Sequence, residues 1–292
     1  MANAKAIKAK IKSISNIQKI TSALEIVSTV KLQKVKQSAD NFKEYMTELM
    51  YILDRVDFSR VFSNENNLNS NRELIIVISS EKGLCWALNS KLFRKIYDET
   101  SVNKDNLDVF VIWKKGLEFF SRSWYSIVWK SNLKDNFTEK DLDDVKWFVA
   151  DSLEKARYSK ISVYFNYFKN TMVQIPTNLQ LFPLSKENFS KFVSDIELDL
   201  NLDENYNSDI IIEPSEEEYY EFVMKKIITD MIYGSVLQNK AGEHASRMIA
   251  MKSAKDNSID LKKSLTITYN KQRQSAVTQE ISEIVSAKVA ME

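Results

Sequence analysis

The side chains that most often carry out catalysis or hold metal ions are scarce in this sequence. It has one cysteine, Cys85, and one histidine, His244. A structural zinc site needs about four such ligands, and a disulfide needs two cysteines. The sequence therefore predicts no metal site and no internal disulfide. We interpret Cys85 as a buried apolar residue, because no basic residue flanks it, and His244 as a packed or solvated helix residue.

The glycines are also too few for a nucleotide-binding loop. Phosphate and dinucleotide loops need glycines at fixed spacing, as in G-x-x-x-x-G-K-[ST] or G-x-G-x-x-G. The four glycines here, Gly83, Gly116, Gly234 and Gly242, form neither pattern. We therefore expect the chain to bind no cofactor and to carry no catalytic site, and an independent enzyme is the least favoured interpretation.

The composition is that of a folded protein. The chain has 292 residues, of which 44% are hydrophobic and 28% charged, which suffices for one or two domains with a sizeable core. No run of about 18 apolar residues is present. The amino terminus is rich in lysine and lacks the apolar region of a secretory signal. We expect a cytoplasmic protein with no direct membrane insertion.

Charge is unevenly distributed along the chain, although the formal net charge is only +1. Residues 5–36 contain eight lysines and one acid, Glu25, whereas residues 187–221 contain twelve acids. A basic helix attracts nucleic acid, but no arginine or stacking aromatic residue lies among these lysines. We expect no nucleic-acid partner and interpret the part of the acidic stretch before Ser215 as a solvated loop.

Both ends of the chain predict long helices. Residues 2–58 contain no proline or glycine, and apolar residues recur there at steps of three and four: Ile7, Ile11, Ile14, Ile17, Ile20, Leu24, Val27 and Val30. A second helix is expected to begin near Ser215, with Glu218 completing a capping box, and to continue to about residue 288. Such narrow apolar stripes are typical of coiled coils. We predict that 1–60 and 215–292 pair as an antiparallel coiled-coil shaft.

The middle of the chain, 72–212, predicts an α/β domain inserted between these helices. The run 74–79 is apolar throughout, as expected of a strand buried on both faces of a parallel sheet. Further strands are predicted at 107–113, 124–129, 161–168 and 172–175, with helices at 89–98 and 142–157. This alternation favours a Rossmann-like fold.

Several sequence blocks together resemble one known family. They are IKSISNIQKITSALEIV at 11–27 with Lys31-Leu32, GLCWALN at 83–89, EHASRMIAM at 243–251, LTITYN at 265–270 and RQSAVTQEISEIV at 273–285. In this order and spacing they are similar to the gamma subunits of F-type ATPases, the central rotating shaft of those enzymes.

The resemblance implies a non-catalytic rotor on the axis of a ring of three alpha and three beta subunits. Mg-ATP and Mg-ADP would bind to those partners, and ATP hydrolysis or synthesis in the ring would be coupled to rotation. An epsilon-like subunit and a proton ring, or a replacement machine, are further expected partners. The complex would place the chain at the inner face of the cell membrane.

Matching the family position by position implies the residues that contact the ring. The segment expected to meet the beta subunits contains Arg273, Gln274, Thr278, Gln279 and Glu280. An arginine suits this role because its donor fork binds a carboxylate with two hydrogen bonds. Candidates on the first helix are Lys19, Ile20, Thr21 and Lys31, the last facing an acidic region of a beta subunit.

Departures from the family pattern leave alternatives open. Trp86-Ala87 replaces a glycine pair, which makes Trp86 a candidate contact for a partner at the foot. Ala287-Lys288 replaces Gly-Ala near the carboxy terminus, where the family tip turns in an apolar sleeve. The ordinary proton-translocating synthase is the default expectation. The alternatives are the shaft of a specialised F1-like motor, for example one that drives motility or a surface machine, and a non-rotating coiled-coil adaptor.

Overall fold

A computed structural model of the protein describes residues 2–54, 70–134, 137–195, 212–213 and 215–291. In chain order its main elements are α1 (Ala2–Asp54), β1 (Glu73–Ile78), α2 (Leu88–Thr100), β2 (Leu107–Ile112), α3 (Lys114–Phe120), β3 (Ser126–Ser131), α4 (Asp143–Glu154), β4 (Lys160–Phe168), β5 (Gln174–Phe182), α5 (Lys186–Asp195) and α6 (Glu216–Met291). The last four residues of the predicted first helix, 55–58, and residues 196–211 and 214 of the acidic stretch lie outside the described residues.

The chain divides into two compact units. Unit 1 combines Met1–Val30 with Arg247–Glu292, and unit 2 is Lys31–Ser246. Each unit therefore contains part of α1 and part of α6. The predicted boundaries at 1–60, 72–212 and 215–292 follow chain segments instead, and they stay a prediction.

In unit 1, α1 and α6 form an antiparallel pair. The ammonium of Lys255 lies 2.6 Å from the carboxylate of Glu25, and Lys262 donates a hydrogen bond to the hydroxyl of Ser15 at 3.3 Å. From the first contact to the second, the residue number decreases in α1 and increases in α6. The two helices are therefore antiparallel. By this register, Ala2 of α1 lies opposite a residue near 275, so the last turns of α6 have no described α1 residue beside them.

The seam of this pair follows only part of the apolar stripe that the sequence indicates: Ile7 is buried, and Ile11, Ile14 and Leu24 are half-buried. Ile17, Ile20, Val27 and Val30 are all exposed, and the α1 side chains buried at this level are the small hydroxyl residues Thr21 and Ser28. Their hydroxyls donate to carbonyls of their own helix, as Ser28 does to Leu24 at 2.7 Å. Small side chains that satisfy their own polar groups let two helices approach closely, so the expected apolar seam is wrong over this stretch.

In unit 2, α1 and α6 also pack against each other. The rings of Phe42 and Tyr233 meet edge to face with centroids 5.2 Å apart, and the hydroxyl of Tyr45 donates to Asp230 at 3.0 Å. A Cβ atom on Gly234 would lie 2.9 Å from ring atoms of both Phe42 and Phe192. Gly234 therefore permits the close helix contact that its position inside a long helix predicts.

The α/β part of unit 2 has a five-stranded sheet in the order β3-β2-β1-β4-β5. The first four strands are parallel, and β5 pairs antiparallel with β4. Every residue of β2 is buried, and five of the six in β1 are. This continuous burial is why both strands are recognisable in the sequence as uninterrupted apolar runs.

Three elements differ from the sequence prediction. β5 ends at Phe182, whereas the predicted strand ends at residue 175. The predicted strand is too short because β5 is mostly half-buried, and Pro176, Thr177 and Asn178 lack an apolar strand pattern. α3 and α5 are short, with seven and ten residues, which is too few for a clear helical period. The predicted fold class, α/β with a long antiparallel helix pair and an inserted Rossmann-like domain, is confirmed.

One buried carboxylate lies on β2. Asp108 accepts hydrogen bonds from Nε of Arg72 at 3.2 Å and from the hydroxyl of Tyr158 at 3.1 Å, and Arg72 completes a second contact through its Nη2 atom. Burial alone would raise the pKa of Asp108, but these hydrogen bonds outweigh it and hold the pKa below its usual value. The carboxylate is therefore stabilised in its charged form in the folded state.

We expect Gly116→Ala to destabilise the α/β domain by about 1–3 kcal/mol through overpacking. A Cβ atom there would lie 2.7 Å from Cγ1 of Val111 and 3.0 Å from Oγ of Ser79, and both residues are fully buried. Gly83→Ala is the matched control, since a Cβ at Gly83 has nothing within 4 Å. Urea unfolding measures both variants, and equal stabilities would contradict this packing.

We expect Arg72→Met to lose stability in a pH-dependent way. The lowered pKa of Asp108 contributes stability above the unfolded-state pKa of about 3.9, and that contribution is lost as pH falls through the folded-state pKa. The side chain of Arg72 is 45% exposed, so we expect the low end of about 1–3 kcal/mol at pH 7. Urea unfolding from pH 7 to pH 2 should show the difference from wild type shrinking with acid. A constant difference would contradict the assignment.

Candidate partner-contact site

The predicted contact residues near the end of α6 lie on an exposed helix. Arg273, Gln274, Thr278 and Gln279 are exposed, and Glu280 is half-buried. Within the described ranges Arg273 makes no hydrogen bond or ion pair, so its donor fork is available. The hydroxyl of Thr278 donates to the carbonyl of Gln274 at 3.0 Å.

These side chains point in several directions around the helix. At about 100° per residue, Arg273 and Glu280 share one face, about 10 Å apart along the axis, while Gln274 and Thr278 lie on a second face. Gln279 lies on a third, where its amide donates to Glu283 at 3.0 Å. No flat partner could contact all five residues, whereas a partner that surrounds the helix could.

The tip of α6 beyond these residues is exposed and carries several apolar side chains. Every residue from 281 to 291 is exposed, including Ile281, Ile284, Val285, Val289 and Met291. Ala287 and Lys288 are exposed among them, together with the polar residues Ser282, Glu283 and Ser286. An exposed apolar patch of this kind is typical of a surface that a partner covers.

The candidates on α1 form a separate patch in unit 1. Lys19 and Ile20 are exposed, but Thr21 is 7% exposed and its hydroxyl donates to the carbonyl of Ile17 at 3.0 Å. Thr21 therefore faces the helix pair rather than outward. The register of the pair places this patch beside residues near 258 of α6, about 22 Å along the axis from Arg273. The structure does not bring the two sets together.

Lys31 and Trp86 belong to unit 2. Lys31 is half-buried and lines a cleft of about 280 Å³ with Lys34, Val35, Ser38, Phe137, Thr138, Leu237 and His244. His244 is buried at 2% exposure, which agrees with its interpretation as a packed helix residue.

Trp86 lies in the turn that follows β1. Its side chain is 72% exposed, and its backbone φ is 55°, the left-handed region where a non-glycine residue costs about 1–2 kcal/mol. Asn89 holds this turn, because its Oδ1 accepts from the amide of Ser80 at 3.1 Å and its Nδ2 donates to the Ser80 hydroxyl. The backbone thus keeps the conformation that suits the family glycine, while the side chain faces outward.

A pair of buried charged side chains on α6 was missed by sequence reasoning. Lys240 and Glu243 are buried, with Nζ and Oε2 3.2 Å apart, and the Lys240 ammonium lies 4.1 Å from the ring centroid of Trp113. Polar residues in a long helix are ordinarily solvated, so their residue types do not indicate that this pair is buried. Gly242 beside them is the one signal of a close approach.

A second buried polar group links α6 to α1 within unit 2. Asp230 accepts from Lys226 at 2.9 Å and from the hydroxyl of Tyr45 at 3.0 Å. Burial raises the pKa of Asp230, and these two partners offset only part of that rise. Burial lowers the pKa of Lys226, but its bonds to Tyr45 and Asp230 outweigh this effect and raise it.

The described ranges contain neither a metal-binding cluster nor a membrane-spanning helix. They hold no group of three or more His, Cys, Asp or Glu side chains that could bind a metal ion. Within the same ranges, no helix is long and apolar enough to cross a membrane.

The whole chain is similar to proteins of one family. The family described as ATP synthase matches residues 3–291. The ATP synthase gamma chain of Buchnera aphidicola subsp. Schlechtendalia chinensis is 36% identical, over 98% of this chain and 97% of the relative. That of Vesicomyosocius okutanii subsp. Calyptogena okutanii is also 36% identical, over 98% of both chains. The chain belongs to the ATP synthase gamma-chain family.

Solved structures agree with this family in fold. A chain of the Euglena gracilis mitochondrial ATP synthase has a TM-score of 0.69 at 16% identity, over 99% of this chain and 95% of its own length. A chain of the Tetrahymena thermophila mitochondrial ATP synthase, from its central stalk and c-ring, has a TM-score of 0.61 at 20% identity, over 80% and 99%. At these identities the likeness shows the fold alone. The family resemblance drawn from the sequence blocks is confirmed.

The predicted function is confirmed at the level of the family. The relatives and structures described here are all ATP synthase chains. The alternative of a shaft for a specialised motor finds no support among them. The contact residues themselves stay a prediction, because family membership alone does not identify what each side chain touches.

We expect Trp86→Gly to leave the fold as stable as wild type or more stable by about 1 kcal/mol, because glycine removes the cost of the left-handed φ. If Trp86 contacts a partner at the foot, the same change should weaken binding of that partner. Leu84→Gly is the matched control, since Leu84 is also exposed with a φ of 63° but leaves Trp86 in place. Thermal unfolding and co-purification of the foot subunits measure the two effects. A clear loss of stability in Trp86→Gly would mean that the indole packs against the domain.

Proposed function

We propose that this chain is the non-catalytic central rotor shaft of an ATP synthase. It turns inside a ring of three alpha and three beta chains and couples ATP hydrolysis or synthesis in that ring to rotation. The observation that carries the proposal is the full-length match to ATP synthase gamma chains. The nucleotides, with Mg²⁺, bind to the partner chains, and this chain binds no cofactor of its own.

The exposed faces of the helices in unit 1 support a partner that surrounds them. Ile17, Ile20, Val27 and Val30 form an outward apolar stripe on α1, and the end of α6 is exposed on all sides. A soluble protein rarely leaves so much apolar helix surface uncovered. A ring that encloses both helices would bury these apolar faces. Arg273 and Gln274 would make polar contacts with the same ring.

A single asymmetric shaft can also make three identical catalytic chains behave differently. Each chain of a three-fold ring meets a different face of the shaft, so each is biased toward a different conformation. Rotation exchanges these biases in turn. The distribution of Arg273, Gln274 and Gln279 over three faces of α6 gives each ring position a chemically distinct contact.

The other partners follow from the same role. We expect an epsilon-like subunit and a proton ring to bind the chain outside the ring, with Trp86 as a contact at the foot. The complex would then lie on the cytoplasmic face of the cell membrane. A non-rotating adaptor differs in one observable, because only a rotor should bind one alpha-beta ring per chain and change the ATPase rate of that ring.

We expect Arg273→Ala combined with Gln274→Ala to lower the ATPase rate of the assembled ring about tenfold, the effect of losing about 1.4 kcal/mol of charged hydrogen bonding. Alanine favours the helix, so circular dichroism should not change. Arg273→Lys should give an intermediate rate, since it keeps the charge but loses the planar fork. An unchanged rate, with assembly and rotation also unchanged, would contradict the contact role of these residues.

A further inference from the structure

The carboxyl edge of the sheet contains the crevice in which related folds bind their ligands. In doubly wound sheets, ligands bind outside the carboxyl ends of the strands where the strand order reverses. Here β2 lies on one side of β1 and β4 on the other, so the reversal falls between β1 and β4. Ser79 directly follows β1, and Asn166 lies near the end of β4.

In this chain the side chain of Asn239, from α6, occupies that crevice. Its Nδ2 donates to the carbonyl of Ser79 at 2.7 Å. Its Oδ1 accepts from the backbone amide of Asn166 at 3.1 Å and from the Asn166 side chain at 3.0 Å. Asn239 is fully buried. One side chain thus joins the shaft helix to two central strands.

Neighbouring residues of α6 extend the contact. Oε1 of Gln238 accepts from the amide of Phe168 at 3.2 Å, and the hydroxyl of Ser246 donates to the carbonyl of Cys85 at 2.7 Å. Lys240 lies over the ring of Trp113, which directly follows β2. We call these contacts of Gln238, Asn239, Lys240 and Ser246 the Asn239 junction.

The geometry of the Asn239 junction resists rotation of the helix about its own axis. At about 100° per residue, positions 238, 239 and 240 span about 200° of the helix circumference. Their partners lie on β4, on the residue after β1 and on the residue after β2. Hydrogen bonds are directional, unlike apolar contacts, so turning the helix would break several of them together.

We propose that the Asn239 junction transmits torque between the shaft helix and the α/β domain, with Asn239 as the central positioning residue. This inference rests on the proposed rotor function and adds the path by which force leaves the helix. In related folds this crevice holds a ligand, whereas here it holds the side chain of Asn239 from α6.

The test uses the complete synthase reconstituted into lipid vesicles, with Asn239→Ala compared with wild type. We expect the variant to retain ATP hydrolysis but to pump fewer protons per ATP. Ser235→Ala is the matched control, because Ser235 is also fully buried on α6, yet its hydroxyl donates only to Met231 of its own helix at 2.7 Å. The control should pump as wild type does.

A second readout separates torque transmission from simple loss of stability. A probe attached through Val102→Cys, at a position 92% exposed, reports the angular fluctuation of the α/β domain in a stalled complex. We expect a wider angular distribution in Asn239→Ala than in wild type or Ser235→Ala, at a temperature where all three are folded. If Asn239→Ala does not assemble, Gln238→Ala with Ser246→Ala removes the outer bonds and should widen the distribution in the same way.

The outcomes distinguish this inference from the proposed function. A proton-to-ATP ratio and an angular distribution equal to those of wild type would overturn the torque role of the junction and leave the rotor function intact. A wild-type chain that neither rotates nor supports proton pumping would overturn the rotor function, and the junction inference with it.

Discussion

The burial of α6 between residues 223 and 246 is the constraint on which the rest of the structure depends. In this stretch the helix is buried on almost every side, and beyond Met251 most of its residues are exposed. The same continuous helix is therefore part of the core along one stretch and part of the surface along another. Apolar packing around Ile227, Ile228 and Met231 fixes this stretch of α6 inside unit 2.

Polar groups fix the rotational setting of α6 within this packing. Apolar side chains would hold α6 inside unit 2 in several rotational settings at similar energy. The bond from Lys226 to buried Asp230, the Lys240 ammonium over Trp113 and the amide of Asn239 each depend on how the helix is oriented, because each needs its partner at a fixed place beside α6. Breaking a buried pair is costly because it leaves an uncompensated charge. Rotational specificity, more than added stability, is what these groups contribute to a helix that carries torque.

The sequence predicts the architecture better than it predicts the contacts. Both long helices and the strands β1, β2 and β4 are recognisable, because apolar period and continuous apolar runs report burial directly. β5 and the two short helices α3 and α5 are not, since half-exposed strands and short helices leave a weak pattern. The predicted seam of unit 1 is wrong in part, for a physical reason: Thr21 and Ser28 pack closely by bonding to their own helix, while Ile17 and Ile20 face outward.

The residues of the candidate site also fall into two groups: those that the sequence predicts and those that only the structure reveals. Arg273, Gln274 and Thr278 were identified through a family pattern, and their exposure agrees with a contact role. Asn239 and Lys240 belong to no sequence motif, and apart from nearby Gly242 nothing in the sequence distinguishes this buried amide and ammonium from solvated ones. Only the three-dimensional position of the sheet edge reveals what they contact.

The stoichiometry of the native complex tests the central claim most directly. Native mass spectrometry of the complex, purified gently through this chain, should find one copy of it with three alpha-like and three beta-like chains, together with a proton-ring protein. An assembly with two or more copies of this chain per ring, or with no alpha- or beta-like chain, would contradict the rotor account.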